Sequence, residues 1–196
     1  IMNFIDGKIK DIIFIDAKRL APYPPQRLGL YPRGTEVSVV LDLMIHDLEL
    51  ILHLVDSFVE KVEASGMSVL SPSEDIANAR ILFKNGCVAT VTASRISEKP
   101  MRKMQIYQED SYIDLDYQEK TGFVFTKTDN GLVKETVPVI DHNALQEELE
   151  NFINNVIIAK KKNSVPQLKV SGKDGLEALR LAVKITEEIS KHNTRH

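Results

Sequence analysis

Between Val40 and Val55 the chain is almost continuously apolar, and four of the polar residues that interrupt it, Asp42, His46, Glu49 and His53, recur at spacings of four, three and four. At 3.6 residues per turn this spacing gathers them within about 60° of one helix face, while Leu41, Leu43, Met44, Ile45, Leu48, Leu50, Ile51, Leu52, Leu54 and Val55 take most of the remaining circumference. The pattern predicts a largely buried helix from about Glu36 or Ser38 to about Asp56. Ionisable groups taken out of water cost several kcal/mol unless they are paired, hydrated or lining a cavity. A carboxylate and an imidazole one turn apart on such a helix therefore point to the wall of an active site.

The 196 residues can bury one good core, and one domain spanning 1–196 is expected. A charged fraction of 27% against 43% hydrophobic residues is ordinary globular composition. The net charge of −3, with acids and bases interspersed, gives no reason to expect nucleic acid as a partner. A single cysteine, Cys87, rules out an internal disulfide framework and a thiolate metal cluster and fits a reducing, cytoplasmic compartment. The apolar run Leu48 to Val55 falls far short of the ~20 residues that span a bilayer, so no membrane partner is expected. Residues Ile1 to Gly7 read as the tail of a helix closing at Gly7, as in a piece of a longer chain.

Ile12 to Ile15 lie in a predicted strand within Ile9 to Leu20. Four prolines and two glycines between Ala21 and Gly34 then enforce an irregular loop before the helix. Val59 to Val69, Ala77 to Phe83, Val88 to Ile96, Met104 to Tyr107, Ser111 to Tyr117, Phe123 to Thr128 and Leu132 to Val139 read as strands. The turns at Asn85-Gly86 and Asn130-Gly131 favour hairpins, since glycine accepts the positive φ these turns require. On Val88 to Ile96, alternation places Ala89, Val91, Ala93 and Arg95 on one face. Two helices close the chain. The first is capped by Asn143 and has Leu145, Leu149, Phe152, Ile153 and Val156 as its apolar face; the second opens near Ser171. The expected class is α+β: a large, mostly antiparallel sheet, mixed in strand direction, with helices packed on one face.

The sequence from Asp42 through His46 to Glu49 resembles the D-x-x-x-H helix of the Gfo/Idh/MocA oxidoreductases. Gly7 to Ile12, Glu148 to Phe152 and Val170 to Leu181 resemble three further segments of that family, in the same order. The resemblance implies the family's C-terminal, dihydrodipicolinate-reductase-like domain, with the Rossmann domain absent from these residues, since no G-x-G-x-x-G occurs in them. It implies a dehydrogenase of sugars or nucleotide sugars whose NAD or NADP site lies outside this chain, and a homodimer or homotetramer formed through the sheet face. It assigns His46 as the catalytic acid/base and Asp42 as the residue that orients it or binds the sugar. Free imidazoles titrate near pH ~6.5, which suits proton transfer at neutral pH. The family's E-K-P lysine is not matched by Glu98-Lys99-Pro100, which lies downstream of the helix in a link between strands.

Arg27 and Arg33, just before the helix, either bind a substrate phosphate or carboxylate or are solvated loop charges, and Arg95 carries the same pair of readings. A metal site is disfavoured, because Asp42 and His53 stand about 16 Å apart along a straight helix. The rival reading is a non-catalytic sugar-binding or oligomerisation module that lacks a cofactor domain.

Overall fold

The computed structural model describes residues 9–137, 144–165 and 170–193. Eight strands form one sheet: β1 (Phe14–Leu20), β2 (Val59–Met67), β3 (Ile76–Phe83), β4 (Val88–Ser94), β5 (Met101–Tyr107), β6 (Ser111–Asp116), β7 (Thr121–Thr128) and β8 (Gly131–Thr136). They run in the order β2-β3-β4-β1-β5-β6-β7-β8. Only the β1–β4 pairing is parallel, so the sheet is mixed and mostly antiparallel, as expected. The hairpins form where Asn-Gly marks them, with Gly86 at φ +88° and Gly131 at φ +111°. The expectations that fall on Ile1 to Gly7, Pro138, Val139 and Asn143 lie outside the described residues.

A π-helical turn, Val40–Met44, runs into α1 (Ile45–Val55). The helix thus starts later than the apolar pattern suggested and opens with a wider turn. It stops at Asp56, which adopts a left-handed conformation (φ 44°) while its N–H bonds the carbonyl of Leu52 at 3.2 Å. Its buried residues are Val40, Met44, Asp47, Leu48, Ile51 and Val55, a single stripe at three- and four-residue spacing. Leu43, Ile45, Leu50, Leu52 and Leu54 stay partly exposed, so the helix is buried on one side and not nearly all round.

Two further helices follow, α2 (Ala144–Lys162) and α3 (Gly172–Asn193). Ser171 and Asp174 cap α3 reciprocally, the Ser171 N–H donating to Asp174 Oδ2 at 2.7 Å and the Asp174 N–H reaching Ser171 Oγ at 3.4 Å. The buried face of α3 is Ala178, Leu181, Ala182, Ile185 and Ile189, which packs on α1 and β2. Leu176, Leu179 and Val183 lie off that stripe and are more than 40% exposed. On α2, Leu149, Phe152, Ile153 and Val156 remain exposed, Ala159 is the one buried residue among those whose side chains are described, and the side chain of Leu145 lies outside them. The core lies between the sheet and the π turn, α1 and α3, and is built from Ile15, Ala17, Ala79, Ile81, Ala89 and Val91 of the strands against Met44, Leu48, Ile51 and Ile185.

Candidate active site

Leaving β1, the chain runs through the proline-rich loop before returning as the π turn. This loop is pinned by its own backbone. Thr35 donates from both N–H (3.2 Å) and Oγ1 (2.7 Å) to the Pro32 carbonyl, and Ser38 Oγ accepts the Val40 N–H at 3.2 Å. Between loop and sheet opens a cavity of about 900 Å³, lined by Pro24, Pro25, Arg27, Arg33, Asp42, Leu43, His46 and Arg102. Four of the five residues singled out from sequence thus meet at one place. His46 is exposed and Asp42 half-buried.

The π turn bears on this arrangement. It places Asp42 in the wider turn and His46 at the start of α1, and these two line the cavity, whereas Glu49 and His53, further along α1, do not. Glu49 is drawn instead into a second cluster. Its carboxyl pKa is raised, first by burial, which the nearby His53 opposes, and then by the carboxylate of Asp174. Among the described residues no three His, Cys, Asp or Glu side chains converge as a metal site requires.

Arg95 is placed elsewhere. It is only 2% exposed and lies beneath the loop, outside the cavity lining. Nη1 donates to the Gly34 carbonyl, and Nη2 to the carbonyls of Val37 (2.6 Å) and Glu74 (2.8 Å). Its Nε faces Asp75 Oδ1 at 3.4 Å. The other oxygen of Asp75 accepts the N–H groups of Val69 (2.8 Å), Leu70 (2.6 Å) and Ser71 (2.9 Å). Burial works against ionisation of Asp75, but the Ser71 side chain and these backbone donors outweigh it and hold the pKa at about 2. Both Nη atoms are bound to backbone carbonyls and Nε is only ion-paired, so Arg95 positions the loop and the sequence reading of a substrate contact gives way to that role.

A second buried pair fixes α1. Arg19 on β1 grips Asp47 with Nε at 2.6 Å and Nη2 at 2.9 Å, a bidentate contact one residue beyond His46. Tyr117 lies beside this pair, its hydroxyl pKa pushed well above the usual tyrosine range by burial and by the Asp47 carboxylate. Sequence reasoning missed both Asp47 and Arg102. The signal for Asp47 was its place on the stripe of Met44, Leu48 and Ile51; the signal for Arg102 was its alternation with Met104 and Ile106 on the core side of β5.

No βαβ unit with a glycine-rich turn occurs among the described residues. No helix among them is long and apolar enough to cross a membrane.

The chain is 32% identical over 149 residues to UDP-N-acetylglucosamine 3-dehydrogenase of Acidithiobacillus ferrooxidans, a stretch covering 73% of this chain and 45% of that protein. A crystal form of that enzyme superposes with a TM-score of 0.82 at 27% identity, over 96% of this chain and 58% of the other. Levoglucosan dehydrogenase, in complex with NADH and L-sorbose, shares the fold with a TM-score of 0.75 at 15% identity, over 96% of this chain and 59% of the other. The chain thus spans about half the length of the curated relative it matches. Residues 5–113 match the model of the GFO/IDH/MocA C-terminal domain, and the chain belongs to that family.

Proposed function

We propose that this chain is the substrate-binding and catalytic-histidine part of an NAD(P)-dependent oxidoreductase that acts on a CH–OH group of a sugar or nucleotide sugar. The observation that carries it is the shared cavity: Asp42 and His46 line one open pocket, with Arg27 and Arg33 beside them. The relatives add support, since one is a UDP-N-acetylglucosamine 3-dehydrogenase and another a levoglucosan dehydrogenase solved with NADH.

In this reading His46 accepts the hydroxyl proton as the carbon is oxidised, and returns it in the reverse direction. Its exposure on the cavity side lets the proton pass onward to solvent. Asp42, in the preceding turn, stabilises the imidazolium or accepts a hydrogen bond from a sugar hydroxyl. Arg27 and Arg33 bind the substrate's anionic part. When bound, the nicotinamide supplies the hydride acceptor, and it is held by residues outside this chain. The partners are a small sugar substrate and further copies of the same chain, joined through the sheet face as a homodimer or homotetramer.

The test is hydride transfer by the full-length protein with a panel of UDP-sugars, comparing wild type with His46→Ala and Asp42→Ala. General acid–base catalysis contributes ~10²- to 10⁴-fold, so His46→Ala should lower kcat by that order. Undiminished turnover in His46→Ala would remove the histidine from the mechanism. Sugar binding with no hydride transfer by wild type would favour the non-catalytic module instead.

A further inference from the structure

The cavity holds more positive charge than proton transfer from a sugar hydroxyl requires. Arg27 and Arg33 reach it from the loop and Arg102 from β5. Neighbouring cations are neutralised within the protein: Arg19 by Asp47, Arg95 by Asp75 and Lys103 by Asp116. No ion pair of the Arg27, Arg33 or Arg102 guanidinium occurs among the described residues. Guanidinium stays protonated at any physiological pH. Among the described residues Asp42 is the one carboxylate lining the cavity, leaving its three arginines a surplus of two positive charges over its carboxylate.

Arg102 is the most telling of the three, because the fold gains nothing visible from it. It stands directly opposite Arg19 in the antiparallel β1–β5 pairing. Both alternate with core residues, Arg19 with Ile15 and Ala17, and Arg102 with Met104 and Ile106, so both are on the helix-bearing side of the sheet. Like charges directly opposite one another destabilise a strand pair. Asp47 compensates Arg19 and leaves Arg102 without a carboxylate. Its guanidinium is exposed and lines the cavity, where an anion entering from outside can pair with it.

We infer that Arg27, Arg33 and Arg102 form the site for the diphosphate of a nucleotide-linked sugar, with Arg102 the residue that separates nucleotide-linked from free sugars. The inference rests on the dehydrogenase reading above, which sets the sugar against His46 and Asp42. A diphosphate diester carries two negative charges, equal to the surplus, and offers oxygens in the geometry that guanidinium forks bind in pairs. A volume of about 900 Å³ lies near the upper end of small-ligand pockets, with room for a sugar and a diphosphate together.

The test uses the full-length protein, with UDP and inorganic pyrophosphate as calorimetric probes and UDP-N-acetylglucosamine against free N-acetylglucosamine as substrates. Arg102→Gln should weaken UDP and pyrophosphate binding tenfold or more, without lowering Tm, and flatten the salt dependence of that binding. Arg102→Lys should recover part of the loss, as a point charge without the fork. Arg27→Gln, on an exposed loop, supplies a second variant with little risk to folding and should act in the same direction. Unchanged affinity for both probes in Arg102→Gln and Arg27→Gln would overturn the inference. The two readings fail separately. Probe binding that depends on Arg102 in a protein that oxidises no sugar would leave the diphosphate site standing and remove the dehydrogenase. Equal kcat/KM for free and UDP-linked sugar in wild type would keep the dehydrogenase and remove the diphosphate site.

Discussion

Gly34 lies flat against the carboxylate of Asp42, so closely that a Cβ added to Gly34 would stand 2.6 Å from Asp42 Oδ2 and 3.0 Å from its Cγ. The loop therefore acts as a backstop that sets the position of the carboxylate one turn before His46. Gly34 also sits at φ +84°, where an L side chain is strained, and its carbonyl is held from below by Arg95. Gly34→Ala should cost about 1–3 kcal/mol of stability from backbone strain. It should lower kcat/KM by considerably more than that loss of fold explains, because Asp42 must move. Equilibrium unfolding and steady-state kinetics on the same preparation check this. A stability loss with kinetics untouched would show that Asp42 does not need its backstop.

The Arg19–Asp47 pair predicts an asymmetric double-mutant cycle. Asp47 is 2% exposed, and removing it strands the Arg19 guanidinium against the core. Breaking a buried pair from one side costs about 3–5 kcal/mol, whereas replacing both partners by apolar groups is often close to neutral. Asp47→Ala should therefore destabilise by about that amount, and Asp47→Leu combined with Arg19→Met should recover most of it. Urea unfolding of the four proteins measures the coupling. Additive losses would mean that the two side chains do not act as a pair.

The loop beneath the cavity should loosen in acid. The carboxyl of Asp75 is held at about 2, below the ordinary 3.8, because Ser71 and the N–H groups of Leu70, Val69 and Ser71 outweigh the cost of its burial. A depressed carboxyl contributes stability that is fully present above its unfolded value and fades as pH falls through its folded one, so the window here runs from about pH 4 down to about pH 2. The full contribution is about 2 kcal/mol. The stability difference between wild type and Asp75→Asn should be largest at pH 5 and narrow steadily towards pH 2.5. Denaturant titrations across that range check it, and a difference that stays constant with pH would place the charged form elsewhere.

Period-two and period-3.6 patterning located the eight strands and three helices of the described residues and set Asp42 and His46 one turn apart on one helix, because burial on one face leaves a direct trace in residue order. The alternation of Ala89, Val91, Ala93 and Arg95 even placed Arg95 on the buried face. It could not reveal that Asp75, brought alongside by β3–β4 pairing, would satisfy Arg95 there, and so left a substrate contact open. The same gap hid Arg102: its meaning comes from standing opposite Arg19, and a strand's neighbours are set by tertiary pairing. β5 starts at Met101, three residues ahead of the expected Met104, since the basic pair Arg102-Lys103 masks the alternation that Met104 and Ile106 make plain. The π turn at Val40–Met44 has no sequence period of its own, and the helical arithmetic passed over it.

The face of the sheet opposite the helices carries an aromatic row that predicts self-association. Phe14, Tyr107, Tyr112 and Phe125 are in register across β1, β5, β6 and β7, with ring centroids 5.7, 5.6 and 4.4 Å apart. Lys134, the register partner of Phe125, sets its ammonium 3.5 Å from the Phe123 ring centroid. All four rings are half-buried and neither α1 nor α3 packs on their side, since those helices lie on the opposite face, that of Ile15 and Ala17. Aromatic rings bury large areas, and a contiguous row of them is the composition of an interface centre. Light scattering on the full-length protein should give the mass of two or four chains. Tyr112→Glu with Phe125→Glu should reduce it to one, because a carboxylate pair cannot be desolvated against its own symmetry copy. A wild-type mass of one chain, or a variant that keeps the oligomer, would show that this face meets no second copy.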